Sequence, residues 1–289
     1  MANLKEIKAR ISSVSSTMKI TSAMKMVSAA KLKKAQDKIK NIQPYSEGFE
    51  KTIQNLLPST NNLNINLTAG NNQSNKVLLI NITSNRGLCG GFNANIFKKT
   101  KKLVKNIFKD KVVDIFCIGK KAHEATKRAG YNIINLDNAI LEDCRPKLVK
   151  QHSDEITAKF LEGEWESVYI IYNKFKNAAT QIITQEKFLP IELDLNNENI
   201  TLKDYIVEPG KLEVVNGLLP KKLEIQLFKS ILDSIASEHG ARMTAMHKAT
   251  DNAQELKQDL TLTYNRQRQA AITNEILEIV AGAEALRGA

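Results

Sequence analysis

Apolar and small residues recur at alternating steps of three and four towards both ends of the chain. From Lys221 to Arg287 the chain contains no proline, and the repeat includes Ile225, Phe228, Met246 and Ala253. This spacing is typical of a coiled-coil helix with one apolar seam. Such a helix is about 100 Å long, whereas a compact fold of the whole chain has a radius of gyration of about 19 Å. We therefore expect the helix to project from its own protein and to pair with another helix.

The start of the chain shows the same repeat, and residues 3–56 predict one long helix. Its seam comprises Leu4, Ile7, Ile11, Val14, Met18, Thr21, Lys25, Ser28, Leu32, Ala35, Ile39 and Ile42. A second apolar row at Ile20, Met24 and Val27 makes the apolar arc wider than one partner helix requires. Pro44 weakens the prediction beyond residue 43, because proline kinks or ends helices.

The middle of the chain alternates between strand and helix patterns. A loop is predicted over residues 58–75, where proline, glycine and asparagine are concentrated. Strands are predicted at 77–83, 112–118, 131–136, 168–172 and 181–185, and helices at 93–108, 120–129 and 145–161. The last two strands are close enough to form an antiparallel hairpin through Asn177, so the predicted sheet is mixed. Pro209, Gly210 and Pro220 are expected to separate this region from the terminal helix.

The predicted fold class is α/β. A long antiparallel coiled coil of the N- and C-terminal helices carries an inserted Rossmann-like α/β domain, because two helices joined through a domain at one end must pair antiparallel. We expect an N-terminal helix over residues 1–57, an α/β domain over 76–208 and a C-terminal helix over 209–289. Past residue 263 the terminal seam turns small and polar, where the first helix has no chain left to pair with.

The net charge of +11 is distributed unevenly. Residues 1–40 carry ten lysines and arginines against only Glu6 and Asp37, and residues 31–40 are the densest part. Such a run predicts an acidic protein surface, nucleic acid or an anionic membrane face as partner. Three cysteines without a CxxC motif suit a reducing compartment. No apolar run approaches the ~20 residues of a membrane span, and we expect no signal peptide, because the first residues have no apolar core.

The sharpest local motif is the glycine-rich stretch 84–92 between a predicted strand and helix. It matches neither GxGxxG nor GxxxxGK[ST], so a tight turn with positive φ competes with a nucleotide site of an α/β enzyme. Cys89 has no histidine nearby in sequence, and the spacing of His239 and His247 does not suit a metal site on a helix. The basic run lacks interleaved aromatic residues, although a basic coiled-coil nucleic-acid binder stays an alternative. We expect no catalytic residue, cofactor or metal in this chain.

Several motifs resemble the gamma subunit of F-type ATP synthases. They are residues 19–32 (KITSAMKMVSAAKL), residues 86–91 (RGLCGG), residues 241–253 with ARM and ATDNA, and residues 264–283 with YNR, RQAAIT and EILEIVAGA. The resemblance covers essentially the whole chain in order.

The resemblance implies a central rotor stalk without catalytic residues of its own. Its paired helices would stand inside a ring of alternating alpha and beta subunits, and its α/β domain would hold the epsilon subunit and the membrane c-ring. Rotation driven by proton flow would then change the conformation of the catalytic beta subunits and regulate ATPase activity. Since the chain starts directly in a helix, without an organelle transit peptide, a peripheral location on the cytoplasmic face of a bacterial inner membrane is expected.

The resemblance also assigns contacts residue by residue. Positions that match contacts with beta or support coupling are Met24, Lys25, Arg242, Arg268, Gln269, Thr273, Glu275 and Glu278. Lys31, Lys33 and Lys34 are expected to face acidic loops of the ring. Lys25 departs from the acid that some relatives carry after this methionine, and Asn85 replaces the aspartate common before the Arg-Gly turn.

Overall fold

The structure, a computed structural model, describes residues 4–56, 67–68, 74–192, 207–208 and 210–287. Two long helices dominate it: α1 spans Leu4–Leu56 and α5 spans Lys211–Arg287. The chain divides into two compact units, one of residues up to 27 together with those from 243 onward, the other Ser28–Arg242. Both long helices contribute to both units.

The larger unit contains a five-stranded sheet with helices on its faces. Its elements are β1 (Lys76–Ile82), α2 (Phe92–Asn106), β2 (Val112–Ile118), α3 (Lys120–Arg128), β3 (Asn132–Asp137), α4 (Pro146–Leu161), β4 (Ser167–Phe175) and β5 (Gln181–Leu189). The strand order is β3-β2-β1-β4-β5, and only the β4–β5 pair is antiparallel. The predicted mixed α/β sheet between two long helices is therefore confirmed.

Strand β1 is buried on both faces, which explains its continuous apolar run. Leu78, Ile80 and Ile82 pack into a core shared with α4 and the first part of α5, whereas Val77 and Leu79 face α2 and α3 on the other side. All five side chains have no exposed surface. Strands buried on both faces are typical of parallel sheets covered by helices.

The seam predicted for α1 is confirmed by burial. All twelve seam positions are buried or half-buried, and α1 continues past Pro44 to Leu56. In the unit of residues up to 27 and from 243 onward, Thr21 contacts Thr250 and Lys25 contacts His247. Because lower numbers on one helix meet higher numbers on the other, the pairing is antiparallel as expected.

The expected separation of the terminal helix at Pro220 is wrong. Helix α5 begins at Lys211 and runs through Pro220. A proline inside a helix costs about 3 kcal/mol because it removes one backbone bond and crowds the preceding turn. Val215, Leu219 and Leu223 are at most 3% exposed in the core beneath α5, so their burial offsets that cost.

Strands β4 and β5 are longer than the apolar pattern predicted, because polar residues extend their pairing. Tyr172 donates a 2.6 Å hydrogen bond to Glu186 across the hairpin, and Gln226 of α5 donates to the Lys187 carbonyl. The turn forms at Asn177 as predicted, with its side-chain oxygen accepting from the N–H of Ala179 and Thr180.

The predicted division at residues 57, 76, 208 and 209 stays a prediction. Of the predicted loop over 58–75, residues 58–66 and 69–73 lie outside the described residues, as does Pro209. Within the described ranges, no helix combines the length and apolarity that crossing a membrane demands.

Asp233 offers a test of the packing between α5 and the sheet. It is 6% exposed, and burial raises the pKa of its carboxyl to about 6 against the opposing charges of Lys229 and Lys174. A carboxyl whose pKa is raised by folding stabilises the protein while protonated, fully below about pH 4, and this stabilisation is lost as the pH rises through about 6. Asp233→Asn should therefore raise the free energy of unfolding by about 2 kcal/mol at about pH 7 and by little at about pH 4.

Urea unfolding at both pH values checks this expectation. Asp154→Asn on the exposed face of α4 is the matched control and should change stability at neither pH. An equal gain for Asp233→Asn at both pH values would contradict the burial argument.

Candidate functional site

The glycine-rich turn after β1 is closed by hydrogen bonds among its own residues. The N–H of Ser84 donates to Asn93 Oδ1 over 3.0 Å, and the Asn93 amide donates to Ser84 Oγ over 2.8 Å and to the Cys89 sulfur over 3.2 Å. Gly90 has φ 58°, as expected for a tight turn, and Leu88 also adopts positive φ at 62°. Burial raises the pKa of the Cys89 thiol, which opposes formation of a nucleophilic thiolate.

Arg242 of α5 bonds to the backbone of this turn. Its Nη2 donates to the Arg86 carbonyl at 3.0 Å and to the Gly87 carbonyl at 3.3 Å, while Nη1 pairs with Glu238 Oε1 at 2.7 Å. Arg242 is 8% exposed and Glu238 is 9% exposed. Burial raises the pKa of Glu238, and burial together with the Arg242 charge lowers the pKa of His239 to about 4. The resemblance lists Arg242 among positions that contact beta or support coupling; within this chain it bonds to the glycine-rich turn.

Helix α5 also covers the crevice where ligands bind in many α/β sheets. That crevice lies at the carboxyl ends of the strands where the strand order reverses, here between β1 and β4. Ser237 of α5 donates a 2.9 Å bond to the Asn173 carbonyl at the end of β4, and Asn173 donates to the Phe92 carbonyl. A Cβ on Gly240 would lie 3.2 Å from the Ala178 Cα. At this end of the sheet, α5 therefore contacts the last part of β4 through Ser237 and the β4–β5 turn through Gly240.

The coupling positions predicted on α1 lie on the helix pair of the unit that includes residues up to 27. Met24 and Lys25 are half-buried, and Lys25 Nζ lies 3.3 Å from His247 Nδ1 on α5. Of the second apolar row, Ile20 is 60% exposed and Val27 is 57% exposed. An apolar row thus lies on the outside of the helix pair.

The lysines predicted to face acidic loops lie in the larger unit and point to solvent. Lys31, Lys33 and Lys34 are all exposed. Lys33 pairs with Asp37 one turn further along at 3.2 Å. Exposed pairs of this kind contribute only about 0.3–0.5 kcal/mol, so their charges stay available to a partner.

The predicted contact positions near the end of α5 are exposed as well. They are Arg268, Gln269, Thr273, Glu275 and Glu278. The Thr273 hydroxyl donates to the Gln269 carbonyl on its own helix. Among the described residues, none of these five side chains is therefore buried.

An apolar stripe on the same end of α5 was missed in the sequence. Ile272, Ile276, Ile279 and Leu286 recur at steps of four, three and seven, and their exposed fractions are 48%, 55%, 71% and 84%. All residues from 272 to 286 are exposed. The helical spacing of the isoleucines was visible in the sequence, and it indicates a face that only another chain can cover.

A second basic surface was missed too. Helix α2 exposes Lys98, Lys101, Lys102 and Lys105, while Ile96 and Leu103 on its other face are buried against the sheet. Counting charge within each predicted helix, rather than along the first forty residues, would have found it.

Comparison with known proteins gives the same picture along the whole chain. A family model described as ATP synthase matches residues 3–286. An ATP synthase gamma chain of Christiangramia forsetii is 52% identical over 288 residues, and one of Flavobacterium johnsoniae is 54% identical over 288 residues; both alignments cover 100% of both chains.

Solved structures share the fold. A chain of the Euglena gracilis mitochondrial ATP synthase, in a structure of OSCP, F1 and c-ring, superposes with a TM-score of 0.69 at 21% identity and covers 98% of this chain and 94% of its own. A chain of the central stalk and c-ring structure from Tetrahymena thermophila gives a TM-score of 0.59 at 23% identity, covering 80% of this chain and 99% of its own.

Proposed function

Because this chain belongs to the family of ATP synthase gamma chains, we propose that it is the central rotor stalk of an F-type ATP synthase. In that role it couples rotation of the membrane c-ring to conformational change at the catalytic sites of the beta subunits. It carries torque and regulates ATPase activity. The alternative of a basic coiled-coil nucleic-acid binder is not supported by the relatives described above.

The observation that carries this proposal is the exposed apolar end of α5. Full burial of one isoleucine or leucine side chain contributes roughly 1.5–3 kcal/mol. Leaving Ile272, Ile276, Ile279 and Leu286 in water is therefore unfavourable, and a partner that surrounds the helix would remove that cost. An apolar contact without directional hydrogen bonds also allows a helix to rotate against the partner that surrounds it. A ring of alpha and beta subunits fits this requirement.

We place the catalytic residues of the complex in the beta subunits and none in this chain. The support is that Ser237 of α5 bonds to the end of β4 and that Arg242 and Asn93 bond to the glycine-rich turn. The α/β domain then binds the epsilon subunit and the c-ring. The complex would be peripheral to the cytoplasmic face of the bacterial inner membrane, with this chain bound only through its partners.

The contact residues follow from the same placement. Seven positions would contact beta or support coupling: Met24, Lys25, Arg268, Gln269, Thr273, Glu275 and Glu278. Lys31, Lys33 and Lys34 would face acidic loops of the ring. Arg242 would act on coupling through the glycine-rich turn that it holds, since it is itself buried. Its effect on partners is then transmitted by the carbonyls of Arg86 and Gly87.

Reconstitution with purified alpha and beta subunits of the same organism tests the proposal. We expect a stable complex in size-exclusion chromatography, and rotation of a bead attached to the α/β domain when ATP is added. A complex that hydrolyses ATP equally well without this chain, or a mixture in which it does not assemble, would refute the proposal. Nucleotide binding by the chain alone, measured by calorimetry, would instead favour an α/β enzyme.

The exposed lysines on α1 give a prediction about assembly. Replacing Lys31, Lys33 and Lys34 by glutamine should slow association with the alpha–beta ring about tenfold at low ionic strength, because charge complementarity mainly sets the association rate. The difference should disappear at high salt, where the charges are screened. Stopped-flow fluorescence measures both rates.

A charge-matched variant separates this contact from net charge. Lys109, Lys120 and Lys127 are also exposed, and their replacement by glutamine removes the same charge elsewhere. Equal slowing in both variants would mean that only the overall charge matters.

A further inference from the structure

The apolar seam of the helix pair contains a hydrogen bond between two polar side chains. The hydroxyls of Thr21 on α1 and Thr250 on α5 lie 2.8 Å apart, and Thr21 is 8% exposed. A buried polar pair in a coiled-coil seam fixes the register of the helices. One turn further, this register brings Lys25 opposite His247.

Nδ1 of His247 lies between a hydrogen-bond donor and a hydrogen-bond acceptor. Its Nδ1 is 3.3 Å from Lys25 Nζ on α1 and 3.3 Å from Asp251 Oδ2 on its own helix. A lysine ammonium only donates hydrogen bonds, and a carboxylate only accepts them. A ring nitrogen accepts when it is unprotonated and donates when it is protonated. His247 Nδ1 can therefore bond to Lys25 or to Asp251, but not to both at once.

We propose that His247 is a positioning residue that holds Lys25 across the helix pair when Nδ1 is unprotonated and releases it on binding a proton. In the protonated state the imidazolium donates to Asp251 and repels the Lys25 ammonium. Histidine is the side chain type whose charge ordinarily changes between about pH 5 and 8.

The charged groups near His247 carry both signs. On α1 the charged group facing His247 is Lys25, with Lys19 further along the same helix. On α5 the charged groups within one turn are Lys248 and Asp251. His247 is 56% exposed and Asp251 55% exposed, so a proton can reach the ring from solvent.

The consequence for coupling depends on the proposed function. Lys25 follows Met24 on the part of α1 that we place against the beta subunits. A lysine tethered to His247 is withheld from acidic partner groups, whereas a released lysine can reach them. We therefore expect the affinity of the ring for the stalk to depend on pH, and His247 to be the cause.

The tether itself can be tested in the isolated full-length chain. Nitrogen NMR of histidine-labelled protein reports whether Nδ1 of each of the four histidines carries a proton, and His247→Gln identifies the signal of interest. The ratio of the two tautomers of the neutral ring, recorded at about pH 8, is the quantity compared between variants. Lys25→Met should shift the tautomer ratio at least threefold towards protonated Nδ1, because only Asp251 is then left. Asp251→Asn should shift it the opposite way or leave Nδ1 fully unprotonated.

A tautomer ratio unchanged by Lys25→Met would overturn the inference, whatever the variant does to stability. In the reconstituted complex, His247→Gln should flatten the change in ATP hydrolysis rate between about pH 6 and 8. Adding Lys25→Met to that variant should flatten it no further, because both act through one contact. Failure of the wild-type chain to assemble would refute the proposed function while leaving the NMR result intact, so the two failures are distinguishable.

Discussion

Replacing Arg242 by alanine is expected to lower the free energy of unfolding of the isolated chain by about 3–5 kcal/mol. The substitution leaves the Glu238 carboxylate buried without its 2.7 Å partner and removes the donors from the Arg86 and Gly87 carbonyls. The left-handed backbone at Leu88 then loses the contacts beside it. Urea unfolding followed by circular dichroism measures the loss.

The pH dependence identifies the cause of that loss. Burial raises the pKa of Glu238, and Arg242 opposes this shift. Without Arg242, the folded state favours the protonated carboxyl more strongly, so the deficit should be largest above about pH 7 and shrink as the pH falls. A deficit that grew on acidification would contradict the burial of an unpaired charge.

Two further variants complete the test. Arg242→Ala combined with Glu238→Gln should recover part of the stability, because no buried charge then lacks a partner. Arg128→Ala, which removes an exposed arginine of α3 bonded only to a carbonyl on its own helix among the described residues, should cost less than about 0.5 kcal/mol. A loss below about 1 kcal/mol for Arg242→Ala would show that the pair contributes little.

Deleting residues 275–289 is expected to abolish coupling while leaving folding intact. All described side chains from 272 to 286 are exposed, so their removal takes almost no buried area from the chain. The midpoint of thermal unfolding should therefore change by no more than about 1 °C. In the reconstituted complex the affinity of the ring for the stalk should fall at least about tenfold, equivalent to about 1.4 kcal/mol, because Ile276, Ile279 and Leu286 of the apolar stripe are removed.

Substitution separates the stripe from the length of the helix. Ile272, Ile276 and Ile279 replaced by glutamine keep α5 at full length and should reproduce most of the loss. Glu284→Gln changes an exposed residue on the same segment and should leave affinity within about twofold. If the deletion lowered the thermal unfolding midpoint of the isolated chain as strongly as it lowers affinity for the ring, residues 275–289 would have to pack within the chain itself.

The long helices and the alternation of strands and helices along the chain were predictable from the sequence because each depends on local periodicity. A seam residue such as Leu32 recurs in a helical repeat, and Leu78 lies in a short apolar run of a strand buried on both faces. Both signals are contained in a few neighbouring residues. The separation expected at Pro220 was wrong because proline is a strong local signal, and only the packing of Leu219 and Leu223 of α5 into the core outweighs that signal.

The sequence by itself determined the α/β class, the antiparallel helix pair, the absence of a recognisable nucleotide motif and the family, since these depend on spacing and motifs along one chain. Only the tertiary structure decided what individual polar side chains do. Arg242 is separated from Gly87 by 155 residues and Lys25 from His247 by 222 residues. No local pattern encodes which donor meets which acceptor over such separations, because that depends on the register of packed helices and the path of the sheet.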